Sequence, residues 1–278
     1  MADGLRHTPR RHNARRRVAA AGALGAAAFL AAVAPAPAAA ASDAGDEDMS
    51  TTIIGGVDAT EEYPFMASLQ FDGEHFCGGS LIDEEWVVTA AHCVLEDDPE
   101  QVTARIGSND HTSGGTEVGV SRIVTHPGFA LDPAANDIAV VELAEPVGQE
   151  PIALAPKAGG AGTPTRILGW GMTCDSDEDC PETPTVLQEL DTEIVSDDQC
   201  TGFDGATEIC TQHPAEDAQA CYGDSGGPQI RRGPDGWELI GATSRDGDYD
   251  SDPLCSTGPA IWTDITAYDD WIRSTIAA

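Results

Sequence analysis

Three short stretches carry side chains that could act together on a substrate. Gly223-Asp224-Ser225-Gly226-Gly227-Pro228 sets a serine among small residues. A tight turn of this kind presents a hydroxyl with no neighbouring side chain in the way, and its backbone N–H groups can face a developing oxyanion. Far upstream, Thr89-Ala90-Ala91-His92-Cys93 supplies an imidazole and Asn136-Asp137-Ile138-Ala139-Val140 supplies a carboxylate. Acyl transfer needs a deprotonated hydroxyl, a base to take its proton, and a group that holds the base in the right tautomer. Ser225, His92 and Asp137 are the residue types for those roles. Taken singly, the hexapeptide is equally an ordinary glycine-rich turn, His92 a structural histidine and Asp137 a capping carboxylate. Their joint presence points to nucleophilic catalysis.

Such distant residues meet only if the scaffold folds them together. Short strand-like runs alternate with turn residues: 65–71, 80–82, 86–89, 102–106, 118–124 and 138–143. Antiparallel sheet suits this spacing better than βαβ units do. Between Pro151 and Pro164 the chain is rich in Pro, Gly and Ala, which reads as a crossover between two halves. A second set of strands is predicted at 165–170, 187–195, 229–230, 237–244 and 260–263. Only the tail reads as helix, with Tyr268, Trp271, Ile272 and Ile276 on one face.

The 278 residues suffice for one large β domain or two small barrels. The formal net charge is −34. Six arginines, Arg6, Arg10, Arg11, Arg15, Arg16 and Arg17, precede the apolar run from Val18 to Val33. Only seven arginines and Lys157 stand from Ile53 onward, so that part is more negative still. Nucleic acid and anionic membrane surfaces are therefore excluded as expected partners.

Residues 1–41 read as a secretory signal: a basic start, an apolar run too short and alanine-rich for a membrane span, then small residues suited to signal peptidase. Sec and twin-arginine export both fit it. Residues 42–52 are acidic, lack apolar periodicity and cannot pack a core, so they read as a propeptide. Eight cysteines behind an export signal imply disulfides.

Together with Ile53-Ile54-Gly55-Gly56, the three motif stretches resemble the chymotrypsin-type (trypsin-like) secreted serine endopeptidases. The resemblance runs from Ile53 to the C-terminus, with the motifs in the family's order His, Asp, Ser. It implies an all-β fold of two six-stranded antiparallel β-barrels, about 53–155 and 164–278, with the active site between them and a C-terminal helix. It implies the triad His92, Asp137 and Ser225, with the backbone N–H groups of Gly223 and Ser225 as oxyanion donors. It also implies a zymogen, in which cutting before Ile53 frees an α-amino group that pairs with Asp224. Thr52 precedes that bond where trypsin-activated relatives carry a basic residue, so the activator is not expected to be tryptic, and self-activation is one route. The expected product is a secreted monomer acting on polypeptides without a cofactor. A non-catalytic, protease-like binding module is the alternative.

The resemblance also selects disulfides: Cys77–Cys93, Cys200–Cys210 and Cys221–Cys255, with Cys174 and Cys180 left to pair with each other. By the same alignment Gln219 stands at the base of the primary specificity pocket, where relatives selecting Lys and Arg carry Asp. Ser244 supports the triad Asp and begins the substrate-binding edge. Ala260 adds a methyl to a wall that is usually glycine, and Arg245-Asp246 stand where Trp-Gly is usual, which puts extended main-chain binding in doubt. The expected preference is a small or medium uncharged residue, with a tryptic preference left open if Asp217 or Asp246 reaches the pocket.

No metal site is expected. Asp246, Asp248, Asp250 and Asp252 alternate, but Ser251 and Thr257 break the EF-hand pattern. The acids 175–179 read as solvated, the loop Gly107–Gly119 offers only Asp110 and Glu117, and His126 reads as a surface-turn residue without a role.

So large an excess of carboxylates fits either a salt-rich habitat, where molar ions shorten the Debye length to about 3 Å, or an ordinary acidic secreted protein. A melting curve against salt separates the two: the first requires a melting temperature that climbs towards molar salt, the second an optimum at low salt.

Overall fold

The computed structural model describes residues 53–132, 134–175, 183–214, 218–249, 251–252 and 254–278. In chain order the first half forms β1 (Val57–Asp58), β2 (Met66–Phe71), β3 (Glu74–Asp83), β4 (Trp86–Thr89), a single helical turn α1 (Ala91–Val94), β5 (Val102–Ile106), β6 (Thr116–Thr125), β7 (Ala130–Leu131), β8 (Ala134–Ala135) and β9 (Ala139–Leu143). Six of these close an antiparallel barrel in the order β2-β3-β4-β9-β6-β5. Alternation explains the closure: in β5, Val102, Ala104 and Ile106 are buried while Thr103 and Arg105 lie between them. Leu69, Leu81, Val87, Ile106 and Val140 fill the interior and are fully buried.

The second half forms β10 (Ala153–Leu154), β11 (Pro164–Gly169), β12 (Gln188–Ile194), β13 (Glu208–Gln212), β14 (Pro228–Arg232), β15 (Trp237–Asp246), β16 (Ala260–Asp264) and α2 (Asp269–Ile276). The path β12-β11-β14-β15-β16-β13 returns to β12 through its pairing with β13, closing a second six-stranded barrel. The two-residue strand β1 adds to β12, and β10, inside the expected crossover, runs parallel to β15. Ile53, Ile167, Leu190, Ile209, Ile240 and Trp262 make up much of this barrel's core.

The expected architecture is therefore observed, with differences at particular elements. β3 extends over ten residues rather than three, because His75, Gly78 and Gly79 disguise a strand whose pairing is set by its neighbours β2 and β4. β13 was not expected, since Glu208-Ile-Cys-Thr-Gln212 carries no clean alternation. The tail is helical as predicted: Tyr268 and Ile272 join a core cluster that also holds first-barrel residues, so α2 seals one barrel against the other.

Cys77–Cys93, Cys200–Cys210 and Cys221–Cys255 are bonded. Cys174 is also disulfide-bonded; its expected partner Cys180 lies outside the described residues, as do residues 1–52 and Asp217.

Near the start of the domain, one arginine gathers several carboxylates. Arg166 lies 2.9 Å from the buried Glu189, donates to Asp191 at 2.6 Å and to the Tyr63 hydroxyl at 2.9 Å, and stands 5.2 Å over the Trp237 ring. Tyr63 donates to Glu189 in turn at 2.6 Å. Removing one partner of a buried ion pair strands the other charge, at a cost of about 3–5 kcal/mol. Urea denaturation of Arg166→Ala is accordingly expected to show a loss of about 3 kcal/mol, whereas an exposed control, Arg273→Ala, is expected to leave the unfolding midpoint nearly unchanged.

Candidate active site

Ser225 sits on a turn that glycines make possible. Gly223 and Gly226 have φ of 97° and 73°, the left-handed region that side chains disfavour. A Cβ at Gly226 would also lie 2.1 Å from Thr89 Oγ1, and one at Gly78 would lie 2.8 Å from Gly227. Without side chains at these points, β3 runs directly beneath the turn, and the Gly78 N–H donates to the Ser225 carbonyl at 2.8 Å. The serine of the second barrel is thus bolted to the first.

Among the described residues, neither the Gly223 N–H nor the Ser225 N–H donates to a protein acceptor. Two adjacent free donors on a rigid turn are what a developing oxyanion requires. The Gly223 carbonyl is pinned on the other side by His75, whose Nε2 lies 3.0 Å away while its Nδ1 lies 2.8 Å from the Ser68 hydroxyl. A carbonyl only accepts, so Nε2 donates and Nδ1 accepts from Ser68. Burial pushes His75 down to about 4, which keeps this ring neutral. Sequence reasoning passed over His75 and Ser68, because nothing local marks a histidine in a strand as the prop of a loop 148 residues away.

His92 stands in α1, and its neighbour Cys93 is tied to β3 by the Cys77 bridge. Asp137, nearly fully buried, accepts from the His92 backbone N–H at 2.9 Å through Oδ1 and meets His92 Nδ1 at 2.7 Å through Oδ2. The Ser244 hydroxyl donates to the same Oδ2 at 2.6 Å, and Thr263 Oγ1 donates to the Asp137 carbonyl at 2.7 Å. Burial pulls the carboxyl upward, but the hydrogen bonds and charge of His92, with Ser244, outweigh it and hold Asp137 below the ordinary carboxylate range. The second oxygen of Asp137 therefore fixes Nδ1 as the protonated nitrogen, while Nε2 lies 3.8 Å from Cys93 Sγ.

Ser225 and His92 line one cavity of about 400 Å³ with Gln219, Ser244, Asp246 and Ala260. Among the described residues no hydrogen bond joins the Ser225 hydroxyl to the imidazole; such contacts commonly tighten only when substrate is bound. Gln219 forms a bridge with Ile54, and its Oε1 accepts from Ala220 N at 3.0 Å. Arg245 turns away to Glu208, which it grips at 2.6 and 3.0 Å. Asp224 is wholly buried and accepts from the N–H groups of Gly171 at 2.8 Å and Cys221 at 2.9 Å. Ile53 is fully buried as well.

The remaining candidates have other employment. Asp110 accepts from Thr112 and Ser113, Glu117 pairs with Arg105, and Asp175 accepts from the Ser256 N–H and hydroxyl. His126 is not a bare surface residue: its ring packs 5.3 Å from Tyr268 and 5.1 Å from Trp271, because α2 folds back over its turn.

The trypsin family model matches residues 53–272. The trypsin of Sarcophaga bullata is 34% identical over 241 residues, covering 82% of this chain and 90% of its own length. Trypsin II-P29 of Gallus gallus is 35% identical over 238 residues, covering 81% and 90%. Among solved structures, human heparin binding protein matches with a TM-score of 0.69 at 25% identity, covering 81% of this chain and 97% of its own. With two closed antiparallel barrels, this chain belongs to the trypsin family of chymotrypsin-type proteins and is a serine endopeptidase.

Proposed function

We propose that the chain is a secreted zymogen whose mature form, beginning at Ile53, hydrolyses peptide bonds through an acyl-enzyme on Ser225. The single observation that carries this reading is the Asp137 carboxylate clamped to the backbone N–H and Nδ1 of His92, which lines one cavity with Ser225. Ser225 Oγ attacks the scissile carbonyl and His92 Nε2 takes its proton. Asp137 keeps the proton on Nδ1 and stabilises the imidazolium, and His92 then protonates the leaving amine. The free N–H groups of Gly223 and Ser225 receive the oxyanion, an interaction of about 3–4 kcal/mol per donor in related chemistry. Water repeats the sequence to release the acid.

Residues 1–41 act as the export signal in this reading and 42–52 as the propeptide. The disulfides and the family support an extracellular site of action as a monomer. In the uncut chain Asp224 is buried with only backbone donors, and burial pushes its carboxyl up to about 7. Cleavage before Ile53 supplies an α-ammonium that pairs with Asp224. The Ile54–Gln219 bridge carries this event to the pocket floor.

Taken alone, the uncharged floor at Gln219 and the Ala260 methyl support a small or medium uncharged side chain at the cleavage position. The Asp246 carboxylate in the same wall favours the tryptic alternative. Heparin binding protein brings forward the non-catalytic reading, but a chain of net charge −34 repels a polyanion, and the presence of Ser225, His92 and Asp137 supports the catalytic one.

Secreted material is expected to begin with Ile-Ile-Gly-Gly and to bind a fluorophosphonate at Ser225, with His92→Ala lowering labelling at least a thousandfold. Processed protein that fails to react would point instead to the binding module. The uncut Ser225→Ala precursor tests the activation pair. Between the ordinary 3.8 of Asp224 and about 7, its folded form holds the proton that the unfolded chain has lost. Stability should therefore fall as pH rises through that window, by up to about 1.4 kcal/mol per pH unit, and Asp224→Asn should remove that part of the slope in urea titrations.

A further inference from the structure

Besides His92, the cavity is lined by Asp246, Arg245 and two tyrosines, and Asp246 is the carboxylate that the chemistry above does not use. Asp246 ends β15, directly opposite Ala260 in the antiparallel register. Side chains of directly opposed residues rise from the same face of a sheet about 5 Å apart, and both of these line the cavity. The small Ala260 leaves room beside the carboxylate.

No cation among the described residues neutralises it. The neighbouring guanidinium of Arg245 is committed to Glu208 and to the Gly202 carbonyl. Among the described residues no lysine or arginine pairs with Asp246, and its hydrogen bonds are with Asp248, from the backbone N–H at 2.7 Å and with the side-chain carboxyl. Burial, the hydrogen bond shared with the Asp248 carboxyl and the charges of Asp248 and Asp252 push Asp246 up to about 6 against the pull of the Asp248 N–H.

The floor is neutral but not indifferent. Gln219 Oε1 faces the Ala220 N–H, and a carbonyl oxygen accepts two hydrogen bonds, so one lone pair remains. The amide nitrogen is directed to Thr211 O instead, at 3.5 Å. The side chains at this end of the cavity thus offer acceptors to a donor-rich cation. Between mouth and floor, Ala220, Thr243, Ala260 and the Cys221–Cys255 bridge provide apolar wall for an aliphatic stem.

We propose that Asp246 is the residue that sets primary specificity, making this pocket select a lysine or arginine side chain from the wall rather than from the floor. This rests on the reading of the cavity as the substrate pocket of a Ser225 peptidase. Self-cleavage after Thr52 does not fit such a pocket, so maturation falls to another protease.

The test uses full-length chain expressed with its leader and recovered after secretion, with reactive Ser225 titrated by a fluorophosphonate. Matched peptide amides ending in Lys, Arg, Leu or Ala at the cleavage position are then compared by kcat/KM per labelled site. Lys or Arg should exceed Leu and Ala at least tenfold. Asp246→Asn should lower that ratio at least tenfold, and Asp246→Glu should restore part of it. Benzamidine should inhibit the parent at least tenfold more strongly than its uncharged isostere benzamide, a measurement that needs no variant to fold. A labelled enzyme that prefers Leu or Ala, or that treats benzamidine and benzamide alike, overturns the proposal and leaves the peptidase reading standing. An Asp246→Asn enzyme that keeps the basic preference overturns it too. Processed protein with neither labelling nor hydrolysis removes both readings.

Discussion

A buried carboxylate joins the two barrels at the cleft. Asp137 enters from the loop before β9 and holds the imidazole and backbone of His92 within the first barrel. The second barrel reaches the same residue from β15 through Ser244 and from β16 through Thr263. An anion with this little water around it persists only when its lone pairs are met by donors, so the barrels have a mutual orientation at which the group is satisfied. The cavity that His92 and Ser225 both line follows from it. The reciprocal tie, from Gly78 of β3 to the Ser225 carbonyl, holds the nucleophile's turn against the same edge.

The scarcity of cations shapes the rest. Every arginine from Arg105 to Arg273 is engaged with a carboxylate: Glu117, Glu142, the Glu189 and Asp191 cluster, Glu238, Glu61, Glu208 and Asp269. With positive charge so fully committed, the half-buried or buried carboxylates without a cation stand out. Asp224 and Asp246 are two of them. Each is pushed upward by burial; Asp246 lines the cavity, and Asp224 directly precedes Ser225, which lines it too. In the proposed reading one is met by an ammonium made by processing, the other by an ammonium or guanidinium that substrate brings. An acidic exterior would serve both by steering cationic polypeptide towards the cleft, an effect that salt weakens.

Much of this was legible in the residues. Alternating apolar runs announced sheet, the Pro- and Gly-rich crossover divided the halves, and the tail's helical face was correct. The glycines about Ser225 marked a turn because only glycine tolerates the φ values found there. Where the reading fell short, the cause was non-local. β3 hid behind glycines that exist to let another barrel approach, and β13 is a strand because β16 and β12 pair with it. Arg245 grips Glu208 across the strands while it lines the cavity, a pairing that no local pattern announces.

What the sequence determined by itself was the set of chemical groups and their local backbone settings: a hydroxyl in a glycine turn, an imidazole, a carboxylate, and an excess of acids over bases. Tertiary structure alone decided which polar groups share a space. His75 became the prop of the Gly223 carbonyl, Thr263 a donor to Asp137, and Asp246 a neighbour of Ala260 in the pocket wall. The physical reason is range. Propensity and patterning act over a few residues, whereas the pairing of a buried donor with its acceptor is settled by barrel closure, which brings together atoms more than a hundred residues apart.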